Sequence, residues 1–235
     1  MNSHELCRLF SAPVQAAVAT PSMYDDPLTG SESMGVADWA PNRRREFAAG
    51  RAAARLALSS LGGPVASLPR GPDRTPVWPP GIVGSISHCE GFCAAVAARD
   101  VDVLSLGFDV ETTEPLPDDL HLLAFSPDEW SEIVVRSGQA RVDFAKVGFS
   151  AKEAFYKCYY PLEKRFLDFQ DVVIRFVGPV GDDPSGGAFS FAFVDEAFPG
   201  AHLAGKVVGR WLTDGKFICA GVTLARSAGD RPAQP

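Results

Sequence analysis

Cysteine is scarce in this chain: five in 235 residues, at positions 7, 89, 93, 158 and 219. An odd, scattered set does not make a disulfide framework. Cys89 and Cys93 stand beside His88, but no second pair lies at zinc-finger spacing, so a structural zinc is not expected. Long apolar runs are also missing. No stretch approaches the ~20 residues of a membrane span, and the start has no basic segment followed by an apolar one. No membrane partner and a reducing cytoplasm are the expectation. Cations are in deficit, with 22 Lys and Arg against 29 Asp and Glu and a net charge of −7. That leaves no basic excess to displace nucleic-acid counterions, which excludes sequence-independent nucleic-acid binding. The segment Gly84-Ser85-Ile86-Ser87-His88 lacks the second glycine of a G-x-S-x-G elbow, so a serine hydrolase is set aside. No internal repeat is visible.

What is present suits a globular protein. Hydrophobic residues make up 46% and charged residues 22%, and the length allows one large or two small domains with a real core. Residues 21–35 are rich in turn formers and read as a loop. Phe47, Ala54, Leu58 and Leu61 recur at helical spacing, which predicts a helix over 42–61, ended by Gly62 and Gly63. Residues 69–81 are too proline-rich for a regular element. Ile82–Ser87 and Phe92–Ala98 read as strands around a turn at Glu90-Gly91, and Val103–Val110 as a buried strand. Ser126, with Pro127 and Glu129 after it, predicts a helix start. A second helical pattern covers 142–159 and is expected to stop at Pro161. Val172–Val177, Phe189–Val194, Leu203–Trp211 and Lys216–Leu224 are strand candidates, with Asp214-Gly215 as a hairpin turn. The glycine-rich 181–187 is expected to be mobile. Helices and strands mix without strict alternation, and hairpins fill the second half. That favours α+β over a doubly wound parallel sheet.

Four groups of residues could carry chemistry. Asp109 and Glu111 end an apolar strand and point to one face, two rises of ~3.3 Å apart. Such oxygen donors suit Mg²⁺, although a lone D-x-E is also a common exposed strand end. Glu153 and Lys157 are spaced i, i+4 on the second helix, after Lys152. They form either a surface ion pair of ~0.3–0.5 kcal/mol or, on a partly buried helix, a working pair. Ser85, Ser87 and His88 form a Ser/His turn that could donate to phosphate or merely satisfy its own backbone. Arg43, Arg44, Arg45, Arg51 and Arg55 crowd the first helix. Arg44, Arg51 and Arg55 fall within about 20° of one line, either an anion site or a solvated face. Together these are the parts of a metal-assisted transfer of a phosphate-bearing group.

Three blocks then stand in a recognisable order: GSISHCEGFCAAVAA at 84–98, LGFDVE at 106–111 and FSAKEAFYKCYYPL at 149–162. Upstream lie RRREFAAGRAAARLAL at 43–58 and Pro-Val-Trp-Pro at 76–79. In this ordered set the chain resembles the 4′-phosphopantetheinyl transferases of the surfactin and enterobactin synthetase type, over about residues 40–165. Position by position, the resemblance implies that Asp109, Glu111 and Glu153 hold Mg²⁺. It implies that Lys157 neutralises or protonates the leaving phosphate and that Lys152 helps hold phosphate. Ser87 and His88 would lie around the nucleotide's phosphates, and Arg43 and Arg51 would grip the 3′-phosphate with Arg74 beside them.

The reaction so implied moves phosphopantetheine from coenzyme A to a serine of an apo acyl or peptidyl carrier protein. Glu153 is the first candidate for the base, with a metal-held water as its rival. The family fold is a pseudo-twofold pair of α+β halves with the active site in the cleft between them. Here the halves would be 1–105 and 106–226, with 227–235 a disordered tail. One chain supplies both halves, so a monomer is expected. A Mg²⁺-dependent nucleotide phosphohydrolase and an inactive coenzyme A-binding or carrier-docking module are the rival readings.

Overall fold

The computed structural model describes residues 1–63, 67–178 and 185–226. The mobility expected over 181–187 and the disorder expected from 227 fall largely or wholly outside these residues. Of that first segment, Gly186 and Gly187 already belong to a strand.

The first half opens with a short helix α1 (Ser3–Cys7) and strand β1 (Gln15–Val18). Two 3-10 turns occupy the expected loop, Pro21–Asp25 and Gly30–Ser33. Helix α2 (Pro41–Ser60) follows, then β2 (Ile82–Cys89) and β3 (Phe92–Arg99). These strands make a three-stranded antiparallel sheet in the order β1-β3-β2. Helix α2 packs its alanine face, Ala53, Ala54 and Ala57, on Ala95 and Ala97 of β3. Small residues on both surfaces let helix and sheet approach closely.

The second half is built around β4 (Val103–Thr112). Helices α3 (Asp118–Ala124), α4 (Pro127–Gln139) and α5 (Phe144–Glu163) follow. Strands β5 (Val172–Val177) and β6 (Gly186–Phe193), a single turn α6 (Ala201–Ala204), β7 (Val207–Thr213) and β8 (Phe217–Ala225) complete it. The five strands run antiparallel in the order β4-β8-β7-β6-β5. The architecture is α+β with two antiparallel sheets, as the sequence pattern predicts. The boundary expected after residue 105 falls inside β4.

Helix α5 crosses the second sheet and buries Ala151, Ala154, Phe155 and Cys158 against it. Phe155 meets Phe191 at 4.5 Å between ring centroids, and Phe144 meets Trp211 edge-on at 5.6 Å. Each such ring contributes ~1.5–3 kcal/mol by burial alone. Strand β4 serves both halves because its two faces differ. Leu106, Phe108 and Val110 point into a core shared with Leu6, Leu9 and Phe92. Ser105, Gly107, Asp109 and Glu111 alternate to the other face, toward α5.

Two expectations are corrected. Pro161 does not stop α5, which continues to Glu163 and ends at Lys164 in the left-handed region (φ 51°). Proline forfeits only the bond to the Lys157 carbonyl, which a final turn tolerates more readily than a helix centre. The strand expected over Leu203–Trp211 begins only at Val207, because residues 201–204 form the turn α6.

Candidate active site

The site lies on the seam between the sheets, where β2 faces β4. Ser85 stitches the seam: its Oγ accepts from Phe108 N at 3.1 Å and lies 3.3 Å from Phe108 O. Two residues further, Ser87 Oγ donates to Asp109 Oδ1 at 2.8 Å. Lys157 Nζ reaches in from α5 and donates to the same Oδ1 at 2.6 Å and to Ser87 Oγ at 3.0 Å. Three distant stretches of chain therefore converge on one carboxylate. Gly107 makes the convergence feasible. A Cβ there would run into the Ala154 carbonyl oxygen and come within 2.8 Å of Cys158 N, so only glycine lets α5 lie this close to β4.

The two glutamates stand in the same surroundings. Burial pushes the Glu153 carboxyl above the usual carboxylate range, with Asp109 and Glu111 adding repulsion against the pull of Lys157. Burial also raises Glu111, followed by the charge of Asp109. Glu111 has a partner that the sequence did not disclose: Lys146, buried on α5, with Nζ 3.6 Å from Glu111 Oε2. Lys146, Glu153 and Lys157 are spaced i, i+7, i+11, so one face of α5 presents cation, carboxylate and cation to β4. Among the described residues no three His, Cys, Asp or Glu side chains form a group able to hold a metal ion. Asp109 leans on Lys157 and Glu111 on Lys146, so the two lysines supply positive charge where a cation would otherwise be needed.

Does this donor set nonetheless suit Mg²⁺? Asp109 Oδ2 is buried without a hydrogen-bond partner. Burial is the first cause that holds both glutamates above their ordinary range, and Asp109 adds repulsion to each, so a bound cation would relieve the crowding of carboxylates. All the donors are hard oxygens. In their chemistry the residues fit such an ion, although they are not drawn together into a ready ligand group.

Two cavities flank this point. The larger, about 470 Å³, runs along β2 and the last turn of α5 and is walled by Trp78, Val83, Leu104, Tyr156 and Tyr160, with Lys157 on its rim. The smaller, about 260 Å³, is lined by Arg43, Arg51, Arg70, Arg74, Glu46 and His88. The two share Arg74, Pro76 and Ile86. Arg51 is almost fully buried, donates its Nε–H to Leu68 O at 2.7 Å, and is lowered by that burial to about 10, so it stays cationic at neutral pH. His88 Nδ1 lies 3.9 Å from Glu46 Oε2.

The expected residues therefore divide. Arg43, Arg51, Arg74 and His88 gather in one cavity, and Ser87, Asp109 and Lys157 in one hydrogen-bonded cluster. Arg44, which helical angle favoured over Arg43, lines a separate groove with Tyr24 and Asp25 instead. Arg55 pairs with the buried Glu32 at 2.6 Å. The stripe thus splits three ways, because the elements packed around α2 differ along its length. Lys152 is the main correction. It turns inward, pairs with Glu129 at 2.8 Å, and donates to Ala124 O and Phe169 O at 2.8 and 2.9 Å. Next to a site carboxylate in sequence, it is turned about 100° round the helix from it and acts as a buried staple. Arg70 and Lys146 were missed. A basic residue in a proline-rich stretch and a lone lysine seven before a glutamate carry no local signal.

Residues 31–98 match the family model described as the 4′-phosphopantetheinyl transferase N-terminal domain, and residues 105–200 match that of the 4′-phosphopantetheinyl transferase superfamily. The chain is 34% identical to the 4′-phosphopantetheinyl transferase PptT of Mycobacterium tuberculosis over 222 residues, 91% of this chain and 95% of that one. It belongs to this family. The transferase is also 34% identical to 4′-phosphopantetheinyl transferase Svp of Streptomyces mobaraensis over 87% of its own length and 83% of the relative's. With enterobactin synthase component D of Escherichia coli it shares 35% identity over 54% of its length and 61% of the relative's. Among the described residues of the transferase, no helix is long and apolar enough to cross a membrane.

Proposed function

We propose that this transferase moves 4′-phosphopantetheine from coenzyme A to a serine hydroxyl of an apo acyl or peptidyl carrier protein, releasing adenosine 3′,5′-bisphosphate. The observation that carries the reading is the pair of adjoining cavities. One is lined by arginines and suits the phosphorylated nucleotide. The other is apolar and suits the pantetheine arm. Lys157, which lines the second cavity, is hydrogen-bonded to Ser87 and Asp109, and the diphosphate would span there.

Arginine forks in the first cavity bind oxyanions at two points. Arg43, Arg51 and Arg74 are assigned to the 3′-phosphate and His88 to the neighbouring phosphates. Ser87 Oγ and Lys157 Nζ can both donate to the diphosphate, and Lys157 is the group positioned to hand a proton to the leaving phosphate oxygen. Asp109, Glu111 and Glu153 would hold Mg²⁺, which when bound draws negative charge off the diphosphate. Glu153, raised by burial, is suited to take the carrier serine's proton. The chain is read as two halves, 1–105 and 106–226. The two family models support this, since one ends at residue 98 and the other begins at 105. Since both halves come from one chain, a monomer is expected. The five free cysteines suit a reducing cytoplasm.

The test is mass spectrometry of an apo carrier incubated with this protein, coenzyme A and Mg²⁺. One added phosphopantetheine per carrier is expected. Cleavage of coenzyme A without a carrier would instead indicate the phosphohydrolase, and no change in either would indicate an inactive binding module.

A further inference from the structure

The reaction proposed above gives Lys146 no task, yet its position is an unfavourable one for a cation. Lys146 lies in the first turn of α5, three residues after the N-cap Asp143. That end of a helix carries partial positive charge, which disfavours an ammonium there. The side chain is also only 8% exposed, and burial disfavours the charge further unless it is paired. Among the described residues its only ion-pair partner is Glu111, with Nζ 3.6 Å from Oε2. Lys152, further along the same helix, is closed off by Glu129 and two carbonyls, whereas Lys146 has that single carboxylate.

The two lysines beside the site divide it between them. Lys157 takes Asp109 Oδ1 and Lys146 takes Glu111 Oε2, while Glu153 has no ion-pair partner among the described residues. Burial first, then Asp109, raise the Glu111 carboxyl, and Lys146 is the foremost charge opposing them. Glu153 feels Lys157 instead. The same charges meet at Cys89, at the end of β2. Burial, then Glu111 and Asp109, push its thiol up, and Lys146 pulls it down. A divalent cation drawn to Glu111 therefore meets a carboxylate that already has a positive neighbour. Two cations close to one carboxylate repel each other, and the repulsion grows where water is scarce.

We propose that Lys146 is a positioning residue of the metal site, a built-in cation that holds Glu111 until a divalent cation takes its place. Its charge steadies the half-buried carboxylate before the ion arrives. The same charge weakens the hold on the ion once it has arrived. This inference rests on the reading of Asp109, Glu111 and Glu153 as metal ligands.

The experiment titrates the full chain with Mn²⁺, a divalent ion that carboxylates bind as they bind Mg²⁺. Free Mn²⁺ is counted by electron paramagnetic resonance, at pH 8 to keep Glu111 ionised. The wild type is expected to hold one ion, lost in Asp109→Asn. Lys146→Met, which keeps the length and removes the charge, should bind Mn²⁺ about tenfold tighter, or ~1.4 kcal/mol. Lys146→Arg, which keeps the charge, should stay within about twofold of the wild type. In chelator, Lys146→Met should melt below the wild type because Glu111 loses its partner. Mn²⁺ should then raise its melting temperature by more than the wild type's. A lysine that served packing alone would give the lower melt without the tighter binding. If Lys146→Met does not fold, Lys146→Gln, neutral but able to hydrogen-bond Glu111, carries the same comparison. Equal or weaker Mn²⁺ binding in the neutral variants, with the wild-type site intact, overturns this inference alone. A wild type that binds Mn²⁺ no better than Asp109→Asn overturns the metal-site assignment, and this inference with it.

Discussion

The Glu153 carboxyl shows the conflict between stability and function in a single residue. Its raised value means that the folded state binds a proton more readily than the unfolded state does. The stability tied to that proton is fully present below the unfolded value of ~4.3 and is lost as pH rises through the higher folded value. At neutral pH the ionised side chain therefore works against the fold. Glu153→Gln, neutral at every pH, is expected to melt above the wild type near pH 7 in the presence of chelator. The gap should close as pH falls toward the unfolded value. Mg²⁺ at about 100 times its dissociation constant should stabilise the wild type by ~2.7 kcal/mol and this variant much less. Thermal melts across pH, with and without Mg²⁺, check both statements. A variant that melts lower at pH 7, or gains as much from Mg²⁺ as the wild type, counts against the assignment. Lys152 shows the other outcome of burial. Its charge is matched by Glu129 and two carbonyls, so the group serves the fold and is unavailable to a ligand.

Helix α5 and strand β4 form the working element pair. The helix brings Lys146, Glu153 and Lys157 to a strand that offers Asp109 and Glu111, and the spacing between the two depends on Gly107. A methyl group at that position meets backbone on α5 rather than a flexible side chain, so the helix itself has to move. Gly107→Ala is expected to cost ~1–3 kcal/mol through overpacking. It should also lower carrier modification by more than the stability loss explains, because the shift separates Lys157 from Asp109. Denaturant melts and carrier modification at a temperature where the variant remains folded test this. Full activity in a folded variant would show that the close approach does not matter.

At the scale of the whole molecule, function depends on how the two sheets meet. Ser85 is the link, satisfying the Phe108 backbone across the seam. Ser85→Ala leaves the buried Phe108 N–H without its partner and is expected to cost ~1–3 kcal/mol. By loosening the register of β2 against β4, it should also raise KM for coenzyme A. Melting temperature and KM measured together check it, and an unchanged pair would argue against the seam as the organising contact. A second link is Lys164 at the end of α5, which reaches Asp73 in the proline-rich segment 69–81 at 2.9 Å. Lys164 is exposed and Asp73 only partly buried, and such pairs contribute only ~0–1 kcal/mol.

Much of this protein was legible in its sequence because the signals are local. The apolar period predicts α2 to within a residue or two of Pro41–Ser60. The Ser126–Glu129 capping box is formed, and alternation along β4 puts both carboxylates on one face. The ordered motifs identified the family. Direction and distance were not legible, because they depend on what packs against each element. Only the tertiary structure decided that Lys152 turns into the core, that Arg43 rather than Arg44 enters the arginine-lined cavity, and that α5 runs through Pro161. It alone brought Arg70 and Lys146, which have no motif around them, beside the site. Hydrophobic period and capping are written residue by residue, whereas the neighbours of a charged side chain are set by chain segments tens of residues away.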